Sequence, residues 1–394
     1  MKHWKRITAI ALTLLSAALF AGCGGTGVGG GSDVADLDDG KTRIALIING
    51  DLGDMSFFDS ANAGMLQFQK DHPETEVNIM ELGSSDTSKW ESTLTQTANE
   101  AYDLIIVATS DMREPLQRLV GRSKYADRRF IIFDTEIRDN AAADYPTVHS
   151  MMFKQNEGGF LAGAVAALLT LEKGAENTAF VGGARNDIIN DFACGFMQGV
   201  QKINELKGTD VGAYNSYIGD FTNSPKGKQI AESFYDQGVE VLFQAASQAG
   251  LGCFDAAKTK GKLAIGVDSD QYDYYASADP AKADTIVTSV LKRVDLALYN
   301  ACEQFLEGTL EFGVLETLGI REGMIGIVEN DNYAAILSEE DRALVGELAQ
   351  GLAGGTIEVK SGLQEGDTIA YDTSTVSATD FYSNMMVSAE GGDE

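Results

Sequence analysis

The chain has 394 residues, a length typical of about two or three domains. Hydrophobic residues make up 44% of it and charged residues 23%, which excludes a mostly disordered chain. Its 59 acidic residues outnumber 30 basic ones, and the net charge of −29 makes DNA or RNA a poor partner because phosphates would be repelled. Four cysteines are too few for a disulfide scaffold, and three histidines leave little scope for imidazole chemistry.

The N-terminus has the pattern of a secretory signal peptide. Residues 1–6 are basic, and residues 7–20 form a mostly apolar run that is too short to span a bilayer comfortably. The run ends in Ala21-Gly22-Cys23, which resembles a bacterial lipobox, although Phe20 stands where that motif usually has leucine. We therefore expect a lipoprotein signal peptide over 1–22 and lipidation of Cys23, palmitate included. The alternative is an ordinary signal peptide with an incidental cysteine.

A flexible tether is predicted to follow the cysteine. Residues 24–32 are rich in glycine, and residues 33–40 add four aspartates, so neither stretch has side chains that could pack into a core. A lipidated tether over 23–40 would hold a folded body away from a membrane, on its extracytoplasmic face. No later segment reaches 18 consecutive apolar residues, so we expect no other membrane-spanning segment.

From residue 41 the pattern alternates between short apolar runs and helix-period stretches. The runs predict strands at 44–48, 77–82, 104–108, 130–133, 179–181, 239–243, 264–267 and 286–290. Helices are predicted between them, at 60–70, 90–98, 157–171, 191–206, 226–237 and 291–306. Such alternation predicts an α/β fold with doubly wound parallel sheets covered by helices on both faces.

The residues that follow these strands are the candidates for a binding site, because ligands of open α/β sheets bind beyond the carboxyl ends of the strands. They are rich in carboxylates and amides, lie near aromatic rings and include no Lys or Arg: 49–51, 109–111, Asp134, 244–250 and 268–270. This chemistry suits a neutral, hydroxyl-rich ligand with a flat ring better than a phosphate. For any one aspartate, the alternative is that it only caps the next helix.

The sequence does not match the motifs of several common enzymes and metal sites. There is no Gly-x-Ser-x-Gly elbow, residues 219–228 depart from the Walker pattern, and no Cys-x-x-Cys or His-x-x-x-His pair offers zinc ligands. Residues 268–273 lack the glycine of a calcium loop. Cys194, Cys253 and Cys302 lie among apolar residues, which predicts buried free thiols. We expect neither an enzyme nor a cofactor.

Several motifs, in order, resemble the basic membrane protein (BMP) family, and in particular its purine nucleoside receptor lipoproteins that serve ABC transporters. They cover about residues 42–330 and lie at 53–60, 157–163, 180–183, 195–200, 245–252, 265–271 and 288–292. The resemblance implies a type I periplasmic-binding-protein fold, with two lobes joined by three crossovers and a hinge, that closes on a nucleoside in a central cleft. It also implies an ABC permease as partner, and we expect a monomer.

The resemblance also implies roles for particular residues. Phe57, and with it Phe58, would stack on the base, and Phe221 would cover its other face. By the same resemblance, Asp54 and Asp111 would bind the base, while Asp268, Lys292 and the backbone around Gly250 would hold the ribose hydroxyls. Ser56 is expected to be a further ligand-binding residue. We expect Lys292 to keep Asp268 ionised. Many relatives have Asn at Phe58 and Gly-Gly-Thr at residues 247–249, so base preference stays open.

We therefore expect a lipid-anchored receptor that delivers nucleosides, purine nucleosides above all, to an ABC importer. The first lobe is expected over 41–150 and about 280–318, the second over 151–279 and about 319–372, and an acidic polar tail over 373–394. One alternative is a receptor for a free sugar such as ribose. Another is a nucleoside hydrolase that uses Asp51, Asp54 and Asp59. The sequence is silent on a role as a surface adhesin.

Overall fold

The computed structural model describes residues 40–84, 87–137 and 144–363, together with the short strand Val376–Ser377. The predicted leader, Cys23 and nearly all of the predicted tether and tail lie outside these residues. In the part of the chain that is described, no helix is both long and apolar enough to cross a bilayer.

Two sheets form the framework. The first sheet, in the order β11-β5-β4-β3-β1-β2, is entirely parallel and consists of β1 (Thr42–Ile48), β2 (Thr75–Glu81), β3 (Leu104–Ala108), β4 (Arg129–Phe133), β5 (Val148–Phe153) and β11 (Val314–Leu318). The second sheet, in the order β12-β10-β9-β8-β6-β7-β13, consists of β6 (Asn177–Gly182), β7 (Gly212–Tyr217), β8 (Val241–Ala245), β9 (Leu263–Asp268), β10 (Ile286–Lys292), β12 (Ile325–Ile327) and β13 (Val376–Ser377). Its two edge strands, β12 and β13, run antiparallel to their neighbours.

Helices cover both faces of each sheet. They are α1 (Phe57–Asp71), α2 (Ser88–Asn99), α3 (Arg113–Val120), α4 (Gln155–Glu172), α5 (Asp187–Lys207), α6 (Ser224–Asp236), α7 (Ser247–Lys260), α8 (Gln271–Ala276), α9 (Pro280–Ala283), α10 (Val294–Glu307), α11 (Asp331–Ile336) and α12 (Glu339–Gly354). The first sheet has α1 and α10 on one face and α2 and α3 on the other. The second has α4 and α5 on one face and α6 and α7 on the other. We call these two layered units the first and second lobes.

Strand β1 shows why the strands are continuous apolar runs. Ile44, Leu46 and Ile48 pack against α1 and α10, while Ala45 and Ile47 pack against α2 and α3. Because both faces are covered, every residue from Ile44 to Ile48 is fully buried. The predicted α/β class with doubly wound parallel sheets is confirmed.

Glycines bring α4 and α5 into backbone contact in the second lobe. A Cβ atom on Gly195 would lie 2.0 Å from the carbonyl oxygen of Asn156, and one on Gly199 would lie 2.0 Å from that of Phe160. Side chains at these two positions would force the helices apart, and the glycine-bearing motifs of the sequence therefore serve packing here.

The chain crosses between the lobes three times, at the ends of β5, β10 and β11. The sequence interpretation placed residues from about 280 onward in the first lobe. Strand β10 instead pairs with β9 inside the second sheet, and the crossing comes directly after Lys292. Helix α10, which follows, packs on α1 of the first lobe. The crossing lies later than predicted because β10 extends the parallel ladder of β9 before the chain leaves.

All three cysteines in the described residues are buried free thiols, as predicted. Burial raises the pKa of the Cys253 thiol to about 12, and it also raises the pKa values of Cys194 and Cys302. Thiolate chemistry at these positions is therefore strongly disfavoured.

Candidate functional site

A cavity of about 620 Å³ lies between the two lobes, at the carboxyl ends of their strands. Most of the predicted ligand residues line it: Asp54, Phe57, Phe58, Asp111, Phe221, Asp268 and Lys292. Six acidic residues and two basic ones, Arg185 and Lys292, contribute to its walls. That excess of carboxylates disfavours an anionic ligand and favours one that donates hydrogen bonds.

The backbone is strained where the strands enter this cavity. Among the described residues, five that are not glycine have a positive φ: Met55 at 52°, Thr109 at 67°, Asp134 at 60°, Ser247 at 48° and Asp268 at 66°. They follow β1, β3, β4 and β8 or end β9, and all but Met55 line the cavity. Such conformations cost about 1–3 kcal/mol each and persist where the surrounding structure holds them, which is typical of binding sites.

Asp54 is held by the first turn of α1 and also reaches the second lobe. Its Oδ1 accepts hydrogen bonds from the amides of Ser56 and Asp59 at 3.0 and 3.1 Å. Its Oδ2 accepts from the Phe58 amide at 3.0 Å and from the Ser247 hydroxyl, across the cleft, at 3.0 Å. Burial raises the pKa of Asp54 despite these donors. The carboxylate expected to bind a base thus already accepts four hydrogen bonds from the protein.

Asp268 lies opposite, on the second lobe, where the Ser56 hydroxyl donates to its Oδ2. Burial above all, and to a smaller extent the nearby carboxylates of Asp54 and Asp134, raise the pKa of Asp268 to about 7. Lys292 and the Ser56 hydrogen bond act in the opposite direction but do not outweigh burial. The expectation that Lys292 keeps Asp268 ionised is therefore wrong, because burial has the larger effect. Near neutral pH this carboxyl is poised between its two protonation states.

Lys292 pairs directly with a different carboxylate. Its side chain is 1% exposed, and its Nζ atom forms an ion pair with Oδ1 of Asp134 on the first lobe. The same Nζ atom lies 5.2 Å from the ring centroids of Phe57 and Phe153 and 5.7 Å from that of Phe192. Burial raises the pKa of Asp134, although the ammonium of Lys292 opposes this. Lys292 is thus a buried cation that joins the lobes at the cavity wall.

Aromatic rings reach the cavity from both lobes, and a glycine lies beside two of them. A Cβ atom on Gly50 would lie 2.1 Å from the Phe58 ring, and one on Gly183 would lie 2.4 Å from the Phe221 ring. Phe57 contacts Phe58 edge to face, with ring centroids 5.1 Å apart. Glycine at these two positions therefore provides the space in which the rings rest against the backbone.

Two predicted residues lie elsewhere. Gly250 is buried in the first turn of α7, and its amide donates to the carbonyl of Ala246 at 3.2 Å. A Cβ atom on Gly250 would lie 1.7 Å from Oε1 of Gln244, so this glycine makes room for a buried amide. Ser56 is fully buried behind the cavity wall and contacts Asp268 rather than the cavity itself.

Several lining residues were absent from the predicted ligand set. Asn49 donates to the Thr109 hydroxyl at 2.9 Å, and the Trp90 indole donates to the Gly83 carbonyl at 3.1 Å. The guanidinium of Arg185 lies 4.7 Å from the Tyr217 ring centroid. Asn49, Thr109 and Asp134 follow strands, so the strand-end rule contained a signal for them, whereas no local pattern pointed to Trp90.

The arrangement offers hydrogen-bond acceptors, flat rings and one buried cation, which is the chemistry of recognition. Within the described ranges, no cluster of three or more His, Cys, Asp or Glu side chains could hold a metal ion. The buried thiols of Cys194, Cys253 and Cys302 are not among the lining residues.

Solved structures with this fold include solute-binding proteins of transporters. An ABC transporter solute-binding protein from Aeropyrum pernix K1 matches with a TM-score of 0.74 and 25% identity, over 88% of this chain and 99% of that one. A solute-binding protein from Conexibacter woesei DSM 14684 matches with a TM-score of 0.64 and 21% identity, over 82% of this chain and 100% of that one. The type I periplasmic-binding-protein fold is thereby confirmed.

Relatives in sequence agree with this. A CD4+ T-cell-stimulating antigen of Listeria innocua is 30% identical over 90% of this chain and 98% of its own length. Basic membrane protein A of Borreliella afzelii is 28% identical over 76% of this chain and 86% of its own. The family model Bmp, described as ABC transporter substrate-binding protein PnrA-like, matches residues 41–349. The chain therefore belongs to the Bmp family of PnrA-like ABC transporter substrate-binding proteins.

Proposed function

We propose that the protein captures nucleosides, purine nucleosides above all, and delivers them to an ABC importer as a lipid-anchored, monomeric receptor outside the cytoplasm. The observation that carries this proposal is the composition of the cavity. Phenylalanine rings from both lobes line it together with six carboxylates. A nucleoside has a flat base for the rings and a ribose whose hydroxyls donate to carboxylates.

The aromatic residues favour a ligand with a base over a sugar alone. Phe57 and Phe58 line the cavity from the first lobe and Phe221 lines it from the second. Stacking on aromatic side chains is worth about 1–3 kcal/mol per base and tolerates different bases, because every base has a flat face. The motif resemblance to purine nucleoside receptors favours purines among them.

The carboxylates favour a ligand that contains a ribose. Asp268 is 7% exposed, lines the cavity and accepts the Ser56 hydroxyl on Oδ2. Its carboxylate can accept hydrogen bonds from two vicinal hydroxyls, and hydrogen bonds to an ionised acceptor are the stronger kind. Asp111 lies exposed at the rim and offers a further acceptor, for the base.

Titration calorimetry tests the ligand class. Inosine, adenosine, guanosine, a 2′,3′-dideoxy analogue and ribose are titrated into wild type, Asp268→Ala and Phe221→Ala. Loss of a hydrogen bond to a charged group costs about 1.5–3 kcal/mol, so Asp268→Ala should bind nucleosides roughly 10- to 100-fold more weakly. This loss should be much smaller for the dideoxy analogue. Phe221→Ala should weaken every nucleoside.

Two other outcomes would replace this proposal. Ribose bound as tightly as adenosine would indicate a sugar receptor and make the stacking argument wrong. Release of free hypoxanthine from inosine would indicate a nucleoside hydrolase. Release of unchanged inosine from the denatured protein, identified by mass spectrometry, would support the receptor.

The lipid anchor is tested separately. The small residues before Cys23 and the glycine-rich stretch after it support lipidation at this cysteine. Cys23→Ser should move the protein from the membrane fraction to the soluble fraction, with nucleoside affinity unchanged. Unaltered fractionation of the variant would contradict the anchor and leave the ligand proposal untouched.

A further inference from the structure

Two buried glutamines connect the strand ends of the second lobe to the first lobe. Gln244 on β8 and Gln271 at the start of α8 are both fully buried. Nε2 of Gln244 donates to Oε1 of Gln271 at 2.8 Å, and Nε2 of Gln271 donates to the carbonyl oxygen of Met55 at 3.0 Å. The second of these bonds crosses from the second lobe to the first. We call the chain Gln244–Gln271–Met55 the amide relay.

Backbone groups determine how each amide of the relay is oriented. Oε1 of Gln271 also accepts from the Val267 amide at 2.9 Å, and Oε1 of Gln244 accepts from the Ala246 amide at 3.1 Å. Because a backbone N–H is only a donor, each Oε1 must face it, and each Nε2 must then donate onward. The donor that reaches Met55 is therefore the amide group of Gln271 in its only consistent orientation.

The relay lies directly behind two strained residues of the cavity wall. The relay accepts hydrogen bonds from the backbone amides of Val267 and Ala246. These two residues immediately precede Asp268 and Ser247, whose φ values are 66° and 48°. Met55, at its far end, has a φ of 52°, and its own amide donates to Asp59 at 2.8 Å. A single chain of hydrogen bonds thus links Asp268 and Ser247 to the loop that begins α1.

Two glycines leave the space that the relay needs. A Cβ atom on Gly250 would lie 1.7 Å from Oε1 of Gln244, and one on Gly266 would lie 2.7 Å from Oε1 of Gln271. Neither glycine has a positive φ, so both positions need glycine for space: Gly250 for the Gln244 amide, and Gly266 for the Gln271 amide together with the Ser289 hydroxyl oxygen, which would lie 2.4 Å from the added Cβ atom.

We propose that Gln271 is a positioning residue for lobe closure, whose donation to the Met55 carbonyl holds the two lobes together and couples closure to the placement of Asp268 and Ser247. The proposal rests on the substrate-binding activity of the family and does not require that the substrate be a nucleoside. Loss of this donor should leave the second lobe intact and shift the protein towards open lobes.

Gln271→Glu removes that one donor and keeps the shape. The new carboxylate can still accept from Gln244 and Val267, but its second oxygen faces the Met55 carbonyl. When ionised it repels that carbonyl, and when protonated its O–H can donate to it. The variant should therefore behave like wild type at pH 5.5 and differ from it at pH 8.5.

Two measurements test this. Each compares the variant with wild type at the same pH, so that any effect of the neighbouring carboxyl groups of Asp54, Asp59 and Asp268, which both proteins contain, is the same in both. Small-angle scattering without ligand should give a larger radius of gyration for Gln271→Glu at pH 8.5 and an equal one at pH 5.5. Calorimetry with inosine as the probe should show at least roughly tenfold weaker binding at pH 8.5 only, as expected for one unmade buried hydrogen bond. A merely structural role would not produce rescue by protonation.

Gln244→Glu is the matched control, because it removes a donor of the relay inside the second lobe and none across the cleft. It should lower the melting temperature without changing the radius of gyration. Equal scattering of Gln271→Glu and wild type at both pH values, or the same opening in Gln244→Glu, would overturn the proposal. If wild type fails to bind inosine while the scattering difference persists, the nucleoside proposal fails and the closure proposal stands.

Discussion

Asp54 in the first lobe is held by three backbone amides at the start of α1, whereas Asp268 in the second lobe accepts its side-chain hydrogen bond from Ser56 of the first lobe. Burial raises the pKa of both carboxyls, and it raises that of Asp268 to about 7. Two similar buried carboxyl groups are therefore held in place by different kinds of partner. Three of the four hydrogen bonds to Asp54 come from its own loop and one comes from Ser247 of the second lobe, whereas the side-chain hydrogen bond to Asp268 comes from the first lobe.

Charge is distributed unequally between the two walls. The first lobe contributes Asp51, Asp54, Asp111 and Asp134 to the cavity, while both basic residues, Arg185 and Lys292, come from the second lobe. The ion pair of Lys292 with Asp134 joins the two walls where the second lobe contributes its buried cation. At this contact, electrostatic complementarity between the lobes therefore depends on Lys292.

The largest effect is expected from Lys292→Met, which removes this complementarity. Asp134 would remain buried without its cation, and breaking a buried pair in this way costs about 3–5 kcal/mol in free energy of unfolding. Urea denaturation measures the loss. Lys173→Met is the matched control, since the Lys173 side chain is 43% exposed, and its effect should be within about 0.5 kcal/mol of zero. A second substitution, Asp134→Asn, should recover part of the loss, and purely additive effects would contradict the pairing.

A smaller effect is expected at Gly50 and Gly183. The two walls are alike here, because in each of them a glycine lies beside a phenylalanine ring. Gly183→Ala and Gly50→Ala place a methyl group into the rings of Phe221 and Phe58, which must then move. Affinity for a nucleoside should fall by about 1–3 kcal/mol if stacking is lost, as measured by calorimetry. Gly326→Ala, where a Cβ atom meets nothing within 4 Å, should leave affinity unchanged. Wild-type affinity in both cavity variants would mean that these rings do not stack on the ligand.

The smallest effect, counted per pH unit, is expected from the titration of Asp268. Stability should fall and nucleoside affinity should rise as the pH increases, so the two can be told apart. Its folded pKa of about 7 lies above the unfolded value of about 3.9, so its contribution to stability is present at low pH and is lost as the pH rises from about 4 to about 7. Ligand hydroxyls favour the ionised form, so nucleoside affinity should rise over the upper part of this window, by at most about tenfold per pH unit.

Asp268→Asn should remove both trends at once. Calorimetry and urea denaturation between pH 5 and pH 8 are compared for the two proteins. The difference between them isolates Asp268, because Asp191, whose pKa burial raises to about 6, titrates in both. If the difference between the two proteins showed binding and stability changing in the same direction with pH, the assignment of Asp268 to the ligand would be contradicted.

Apolar periodicity predicted the central strands well, because a strand covered on both faces must be apolar throughout. β1 (Thr42–Ile48) and β3 (Leu104–Ala108) lie where the runs 44–48 and 104–108 indicated. β5 and β7 were missed, since buried polar residues such as His149 and Asn215 interrupt their runs. The His149 ring is satisfied by the Glu311 carbonyl at 2.8 Å, a partner 162 positions away that no local pattern reveals.

Pattern and resemblance together specified the class of the protein, its strand-end site and most of the residues that line the cavity, because these depend on local runs and on motifs that are contiguous in the chain. The partners of those residues depend on the packing of one lobe against the other. Lys292 pairs with Asp134 rather than with Asp268, and Asp54 accepts from Ser247, only because the strand ends meet across the cleft. Burial in that same arrangement sets the pKa of Asp268, and burial is a property of the assembled lobes.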